Sequence, residues 1–268
     1  MTSIASSFPD GLTLAINGAE ERLQLALGTP GTADAPEARL LAAQEWTVPG
    51  QSVRFLAPSL QAMFRALGRE PRDVARIACV RGPGSFTGLR LSLALAAGLS
   101  AVHGQLQAGM DHLPLLARRA APLLAGPLAV ITHSRRRQVY VQCFDNQSTP
   151  LGPPTSGTLE DAAGQLQPLA RQQNVIFLLG SGLRRNQAFF EDLAARLPLR
   201  DLGPQWDAPS PQDLLDAACA PDLEYSTNPV APLYMRPSDA EENLDAIARQ
   251  RGLEPAQARE MLRRSRQG

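Results

Sequence analysis

The sequence predicts a mixed α/β protein built as two lobes, and three observations carry that prediction. Residues 12–103 read in the order βββαβα, a similar order recurs before residue 197, and a strand–glycine turn–helix unit spans 74–103. The elements follow from local chemistry. The apolar run 12–16 reads as a strand, Asn17-Gly18-Ala19-Glu20 as a turn, and the alternating stretch 22–27 as the strand returning from it. A Pro/Gly/Ala-rich excursion over 28–36 leads to a third strand at 40–48. In 51–67, Val53, Leu56, Leu60, Met63, Phe64 and Leu67 fall on a helical stripe, with Pro58 predicting a kink or a late start. The strand 74–80 and the helix 85–103 complete the first unit.

The second unit opens with a helix over 113–124. Strands at 128–132 and 138–144 follow, joined by the basic turn Ser134-Arg135-Arg136-Arg137. A Pro/Gly-rich link at 149–157 precedes a helix at 159–172, a strand at 175–179, the turn Gly180-Ser181-Gly182 and a helix to about 197. Residues 228–236 look extended. The charged stretch 238–268 reads as a helical hairpin broken at Gly252 and restarted at Pro255, and residues 1–10 read as a tail. The expected division is 11–108 for the first lobe, 109–236 for the second and 237–268 for a C-terminal helical extension.

Composition narrows the function. Lys+Arg and Asp+Glu both number 26 in 268 residues, so no global field draws the chain to nucleic acid or to an anionic membrane. Three scattered cysteines, Cys79, Cys143 and Cys219, with no C-x-x-C, point to reduced thiols in a cytoplasmic protein. No basic, then apolar, segment opens the chain as a signal peptide would, and the apolar run 91–102 is too short and too rich in Ala, Ser and Gly to span a bilayer. His103, His112 and His133 stand too far apart for H-E-x-x-H or H-x-x-x-H, so no metal site is expected.

The most informative stretch is Arg81-Gly82-Pro83-Gly84-Ser85-Phe86-Thr87-Gly88-Leu89-Arg90. Three glycines bring backbone close to whatever the turn meets, and the free N–H groups of the helix start suit an anion or a backbone partner. No Gly-Lys-Ser/Thr follows, and G-x-G-x-x-x-G is one residue too long for a dinucleotide fingerprint. No G-x-S-x-G is present for a nucleophile elbow. From Leu89 to Val102 the only charge is Arg90, while Leu89, Leu91, Leu93, Leu95 and Leu99 point in nearly every direction. A helix apolar all round is buried on more than one side. One side should cover the lobe's own sheet, and the other needs the helix 51–67 or a second protein, with Ala94, Ala96, Ala97 and Gly98 permitting close approach.

The 81–90 string resembles the signature of the bacterial TsaB family. Asp73-Val74 before Ile77-Ala78, Gly109 with Leu113 and Leu116-Ala117, Arg135 with Val139-Tyr140, and Tyr234-Met235-Arg236 resemble further family segments, so the likeness runs from Leu12 to Arg236. The resemblance implies an actin/hexokinase/Hsp70-like (ASKHA) fold of two RNase H-like lobes. It also implies a subunit with no catalytic residues or metal of its own, in the machinery that makes N6-threonylcarbamoyladenosine at position 37 of tRNA. Such a subunit pairs with a TsaD-like transferase, is joined by a TsaE-like ATPase, meets tRNA only indirectly and forms a homodimer when alone. ATP or ADP would bind only in the complex. The matching partner surface is Phe55, Met63, Gly84, Ser85, Phe86, Thr87, Gly88, Leu89, Leu93 and Ala97, and the glycine turn is expected to dock on the second subunit. Asn17 and Gly18 are the candidate nucleotide or phosphate contacts, although the family commonly has Asp where Asn17 stands, Asp where His133 stands, and His near Gln51 and Ser52. The alternative is a small-molecule kinase or ATPase of the same fold, which would need an acidic residue at the first turn.

Overall fold

The computed structural model describes residues 11–32, 35, 37–236, 244–252 and 254–265. The expected tail 1–10 and the opening of the C-terminal extension, 237–243, lie outside them. Two compact units result, residues 1–233 and residues 234–268.

Sheet 1 holds β1 (Leu12–Asn17), β2 (Arg22–Thr29), β3 (Arg39–Thr47), β4 (Val74–Gly82) and β5 (Leu106–Asp111) in the order β3-β2-β1-β4-β5. Sheet 2 holds β6 (Leu128–Arg135), β7 (Gln138–Phe144), β8 (Thr155–Thr158), β9 (Ile176–Leu179) and β10 (Leu199–Asp201) in the order β8-β7-β6-β9-β10. In each sheet the first three strands pair antiparallel and the last two join in parallel. The two sheets thus repeat one topology, and two RNase H-like lobes in succession make the ASKHA architecture.

Alternation in β1 explains how sheet 1 is covered. Leu14 and Ile16 point to one face, where Leu25, Leu27 and Ile77 meet α1 (Ser52–Leu67) through Leu56, Leu60, Met63 and Phe64, and α2 (Phe86–His103) through Leu93 and Ala96. Ala15, Ala26 and Ala78 line the opposite face, and these small side chains let Leu214 and Leu215 of α7 (Pro211–Ala218) and Leu115 of α3 (His112–Ala120) close over it. Each leucine taken out of water contributes about 1.5–3 kcal/mol. Sheet 2 packs Ile131, Val141 and Leu178 against Leu159 and Leu166 of α4 (Leu159–Gln172), Leu183 of α5 (Ser181–Arg185) and Phe190 of α6 (Gln187–Ala194).

Several elements depart from the sequence reading. α1 runs continuously from Ser52 with Pro58 inside it. The helix expected to reach 197 is two short helices meeting at Asn186. Strands β5, β8 and β10 and helix α7 are additional. The division expected at 108/109 falls inside β5, and α7, from the second half of the chain, packs on β1, β2 and β3. In the C-terminal unit, α8 (Leu244–Gln250) and α9 (Pro255–Ser265) pack on one another about Gly252, and Arg259 Nε donates to Asp245 Oδ1 at 2.9 Å.

Candidate functional site

Ser85 caps α2, its Oγ accepting from Gly88 N at 3.3 Å, and its own N–H donates to Ala19 O at 2.6 Å. A Cβ on Gly84 would stand 2.2 Å from Ala19 O, and one on Gly88 2.1 Å from Gly18 O. The backbone partner of the glycine turn is therefore the β1–β2 turn of this same chain. The sequence reading gives that close approach to a second subunit; the structure gives it to Gly18 and Ala19, because the parallel pairing of β1 with β4 brings the two turns together at one end of the sheet.

The other predicted partner contacts divide by depth. Met63 is 2% exposed and Leu89 1%, and Leu93 and Gly88 are buried with them, so these four present no surface. Gly84, Phe55, Phe86 and Ala97 are half-buried, while Ser85 and Thr87 are exposed. Phe55 packs against Trp46 with ring centroids 5.2 Å apart, and the Arg90 guanidinium lies 3.8 Å over the Phe86 ring. Along α2, Ala94, Gly98, Ala101 and Val102 are exposed beside half-buried Leu91, Leu95 and Leu99, and Val102 reaches 75% exposure. On α1, which packs beside α2, Val53 is 63% exposed. A Cβ on Gly98 would meet nothing within 4 Å. The inner side of α2 covers β4, β1 and β5, and its outer side, beyond Arg90, is apolar and built largely from small residues. This 18-residue helix is long and apolar enough to cross a membrane, yet it is packed as a layer of lobe 1.

Asn17 is 2% exposed and its amide is engaged on both sides. Its Nδ2 donates to Gln24 Oε1 at 2.8 Å and its Oδ1 accepts from Ala19 N at 3.0 Å, which shapes the turn. Gly18 is covered by the start of α2, since a Cβ there would stand 2.5 Å from Ser92 Oγ and 2.9 Å from Gly88 O. Both residues are buried and present little surface to a ligand.

Two groups that the sequence reading missed stand out. Arg81, within the signature string, pairs through Nε with Asp111 Oδ1 at 2.6 Å, and that hydrogen bond holds the guanidinium above its ordinary value. A cavity of about 260 Å³ opens beside them, lined also by Met110, Leu115, Arg118 and Asp222. The second group lies where the lobes meet. His112, expected as an isolated histidine, is 1% exposed with Nε2 3.3 Å from Glu20 Oε2. The Ser181 hydroxyl donates to Glu20 Oε1 and accepts from His133 N at 2.9 Å. Asp207 accepts from Gly180 N at 2.8 Å and from Arg184 Nε at 2.9 Å, and Arg184 also reaches Asp201. Burial pushes the Asp207 carboxyl up, against those two hydrogen bonds, and nearby Glu20 pushes the same way as burial. Across 161 residues no local pattern announces the Glu20–Ser181 contact.

In the basic turn, Arg135 donates to Gln138 at 2.9 Å, Arg137 pairs with Glu160, and Arg136 is exposed. Burial pushes the Cys79 thiol up to about 12 and the Cys143 thiol up to about 11, which keeps both protonated at neutral pH. Among the described residues no three His, Cys, Asp or Glu side chains converge as metal ligands.

Residues 50–166 match the family model described as TsaD, tRNA N6-adenosine threonylcarbamoyltransferase. A curated tRNA N6-adenosine threonylcarbamoyltransferase of Solidesulfovibrio magneticus is 34% identical over 150 residues, covering 52% of this chain and 40% of that protein, so the chain matches less than half of that relative's length. Among solved structures, a Pseudomonas aeruginosa protein described as similar to the peptidase YeaZ superposes with a TM-score of 0.61 at 21% identity, over 84% of this chain and 100% of that one. YeaZ from the same organism gives 0.60 at 22% identity, over 84% and 99%.

Proposed function

We propose, from the TsaD family model that matches residues 50–166 and the fold shared with YeaZ, that this chain is a TsaB-like member of that family and a non-catalytic subunit supporting synthesis of N6-threonylcarbamoyladenosine at tRNA position 37. It acts by binding a TsaD-like transferase in the cytoplasm, with a TsaE-like ATPase joining the complex. The observation that carries the reading is the outer side of α2. Beyond the exposed Arg90 at its first turns, its exposed positions Ala94, Gly98, Ala101 and Val102 carry no charge, and an apolar surface of this kind is the mark of a protein interface. Small residues favour it further, since a partner helix approaches most closely where no side chain intervenes.

The contact surface we assign is Phe55, Ser85, Phe86, Thr87 and Ala97 with Val53, Leu91, Ala94, Leu95, Gly98, Ala101 and Val102, resting on the buried supports Met63, Gly88, Leu89 and Leu93. In the absence of the transferase the same face pairs two copies of this chain. Nucleotide enters the assembly through the partner proteins. The kinase or ATPase reading finds less support, because Asn17 is neutral and its amide is spent inside the turn.

Reconstitution tests the proposal. Purified TsaD-like and TsaE-like proteins from the same organism, with threonylcarbamoyl-adenylate and unmodified tRNA, should form the modified nucleoside only when this chain is added. Equal product without it would refute the role, and tight Mg-ATP binding with turnover by the isolated chain would favour the enzyme reading.

A further inference from the structure

We propose that Glu20 and Glu21, consecutive residues of the β1–β2 turn, form a clasp that fixes the two lobes in one relative orientation. Glu20 leaves lobe 1 and takes the Ser181 hydroxyl at the first residue of α5 in lobe 2, while Glu21 pairs with Arg185 at the last residue of the same short helix. The two contacts bracket α5 from end to end. Glu21 and Arg185 are both about half exposed, so their pair adds little by itself. Glu20 is the stronger half, with a side chain 17% exposed against a histidine that is 1% exposed.

Three features make the Glu20 contact more than a surface pairing. The Nδ1 of His112 is buried and has no hydrogen-bond partner, so Glu20 supplies the polar contact of that ring. Withdrawing Glu20 would leave a buried imidazole with neither nitrogen satisfied, which strongly opposes opening. The receiving end is rigid. Cβ atoms on Gly180 and Gly182 would stand 2.3 and 2.8 Å from Ile131 O, so α5 is pressed onto β6, and Asp207 anchors Gly180 N. The giving end is rigid as well, because Gly18 and Ala19 are held against Gly88, Gly84 and Ser85 at the start of α2. A chain of contacts therefore runs from the α2 N-terminus through residues 18–21 to α5. The turn is a strut between the start of α2 and lobe 2, and a change at one end is transmitted to the other by rigid neighbours.

A double-mutant cycle on the full chain, read by amide hydrogen exchange, tests the clasp. Glu20→Ala and Ser181→Ala should each speed exchange over residues 181–186 by about tenfold while the amides of β1, β2 and β4 stay protected. Both remove the Glu20–Ser181 contact and each removes one other, to His112 and to the His133 N–H respectively, so the acceleration in the double variant should fall short of the product of the two single effects. Ser181→Ala deletes only a hydroxyl and carries the test by itself if Glu20→Ala also loosens sheet 1. Wild-type exchange in Ser181→Ala, or effects of the two substitutions that multiply, would overturn the proposal.

Discussion

Gly88 sits directly beneath the carbonyl of Gly18, so close that a methyl group at Gly88 would stand 2.1 Å from that oxygen. Both sides of the contact are backbone, held by sheet pairing on one side and by a capped helix on the other, and neither can give way cheaply. Gly88→Ala should therefore destabilise the chain by at least about 1–3 kcal/mol, as overpacking of a closed core does. Urea denaturation checks this, and a variant with the wild-type midpoint would mean that the two turns are not in contact.

Gly98 gives the opposite expectation on the same helix. Its Cβ position is open and it lies in the interior of α2, so Gly98→Ala should stabilise the free protein by about 0.5–1 kcal/mol through helix propensity and a less flexible unfolded chain. A thermal melt of the three proteins side by side should place Gly88→Ala lowest, wild type between and Gly98→Ala highest. Destabilisation by Gly98→Ala would show that its outer side is already covered within the monomer.

Helix α7 is anchored by a reciprocal cap. Ser210 Oγ accepts from Asp213 N at 3.1 Å, and the Asp213 carboxylate accepts from Ser210 N at 3.0 Å. Ser210→Ala should cost about 1 kcal/mol, and because α7 covers β1, β2 and β3 the loss should appear in the cooperative unfolding of lobe 1. An unchanged denaturation midpoint would show that α7 adds nothing to that unit.

Asp207 should leave a signature in the pH dependence of stability. Burial raises its folded-state affinity for a proton despite Arg184 and the Gly180 N–H, with Glu20 adding to the rise. The native state therefore binds this proton more tightly than the unfolded chain. Its contribution is fully favourable below the ordinary aspartate value of 3.8 and is lost as pH climbs through the raised native value. Asp207→Asn should remove that falling segment from a plot of unfolding free energy against pH. Superimposable slopes for the two proteins would mean that Asp207 is as well solvated as a free carboxylate.

What the sequence made legible and what it hid follow from the range of the interactions. The strand–turn–helix unit at 74–103 stood out because its signals are local, with an apolar strand, glycines, a Ser85 cap and a run of Leu and Ala. Strand β5 was missed because Leu-Gln-Ala-Gly-Met-Asp lacks β-branched residues and exists through parallel pairing with β4. Thr155–Thr158 is a strand because β7 holds it, although its own composition reads as a link. Helix α7 was in principle readable, since Ser210-Pro211-Gln212-Asp213 is a capping-box pattern with proline at the first turn. The depth of α2 residues was not readable, because leucines on every side erase the periodicity that tells inside from outside. Leu93, a natural choice for a charged surface substitution from sequence, is buried against the sheet, and Gly98 and Ala94 are the positions that reach solvent. The Glu20, His112 and Ser181 cluster joins three distant segments, and no window of sequence contains it.

The account rests most on the outer side of α2, and one titration addresses it. Wild type, Ala94→Glu and Gly98→Glu are each mixed with the TsaD-like transferase of the same organism and followed by calorimetry, with circular dichroism confirming that all three are folded. The wild-type chain should bind one-to-one with micromolar or tighter affinity, and each glutamate should weaken binding by about a hundredfold or more by burying an unpaired charge at the contact. Wild-type affinity in both glutamate variants, or no binding by the wild-type chain, would contradict the assignment of this face as the partner surface.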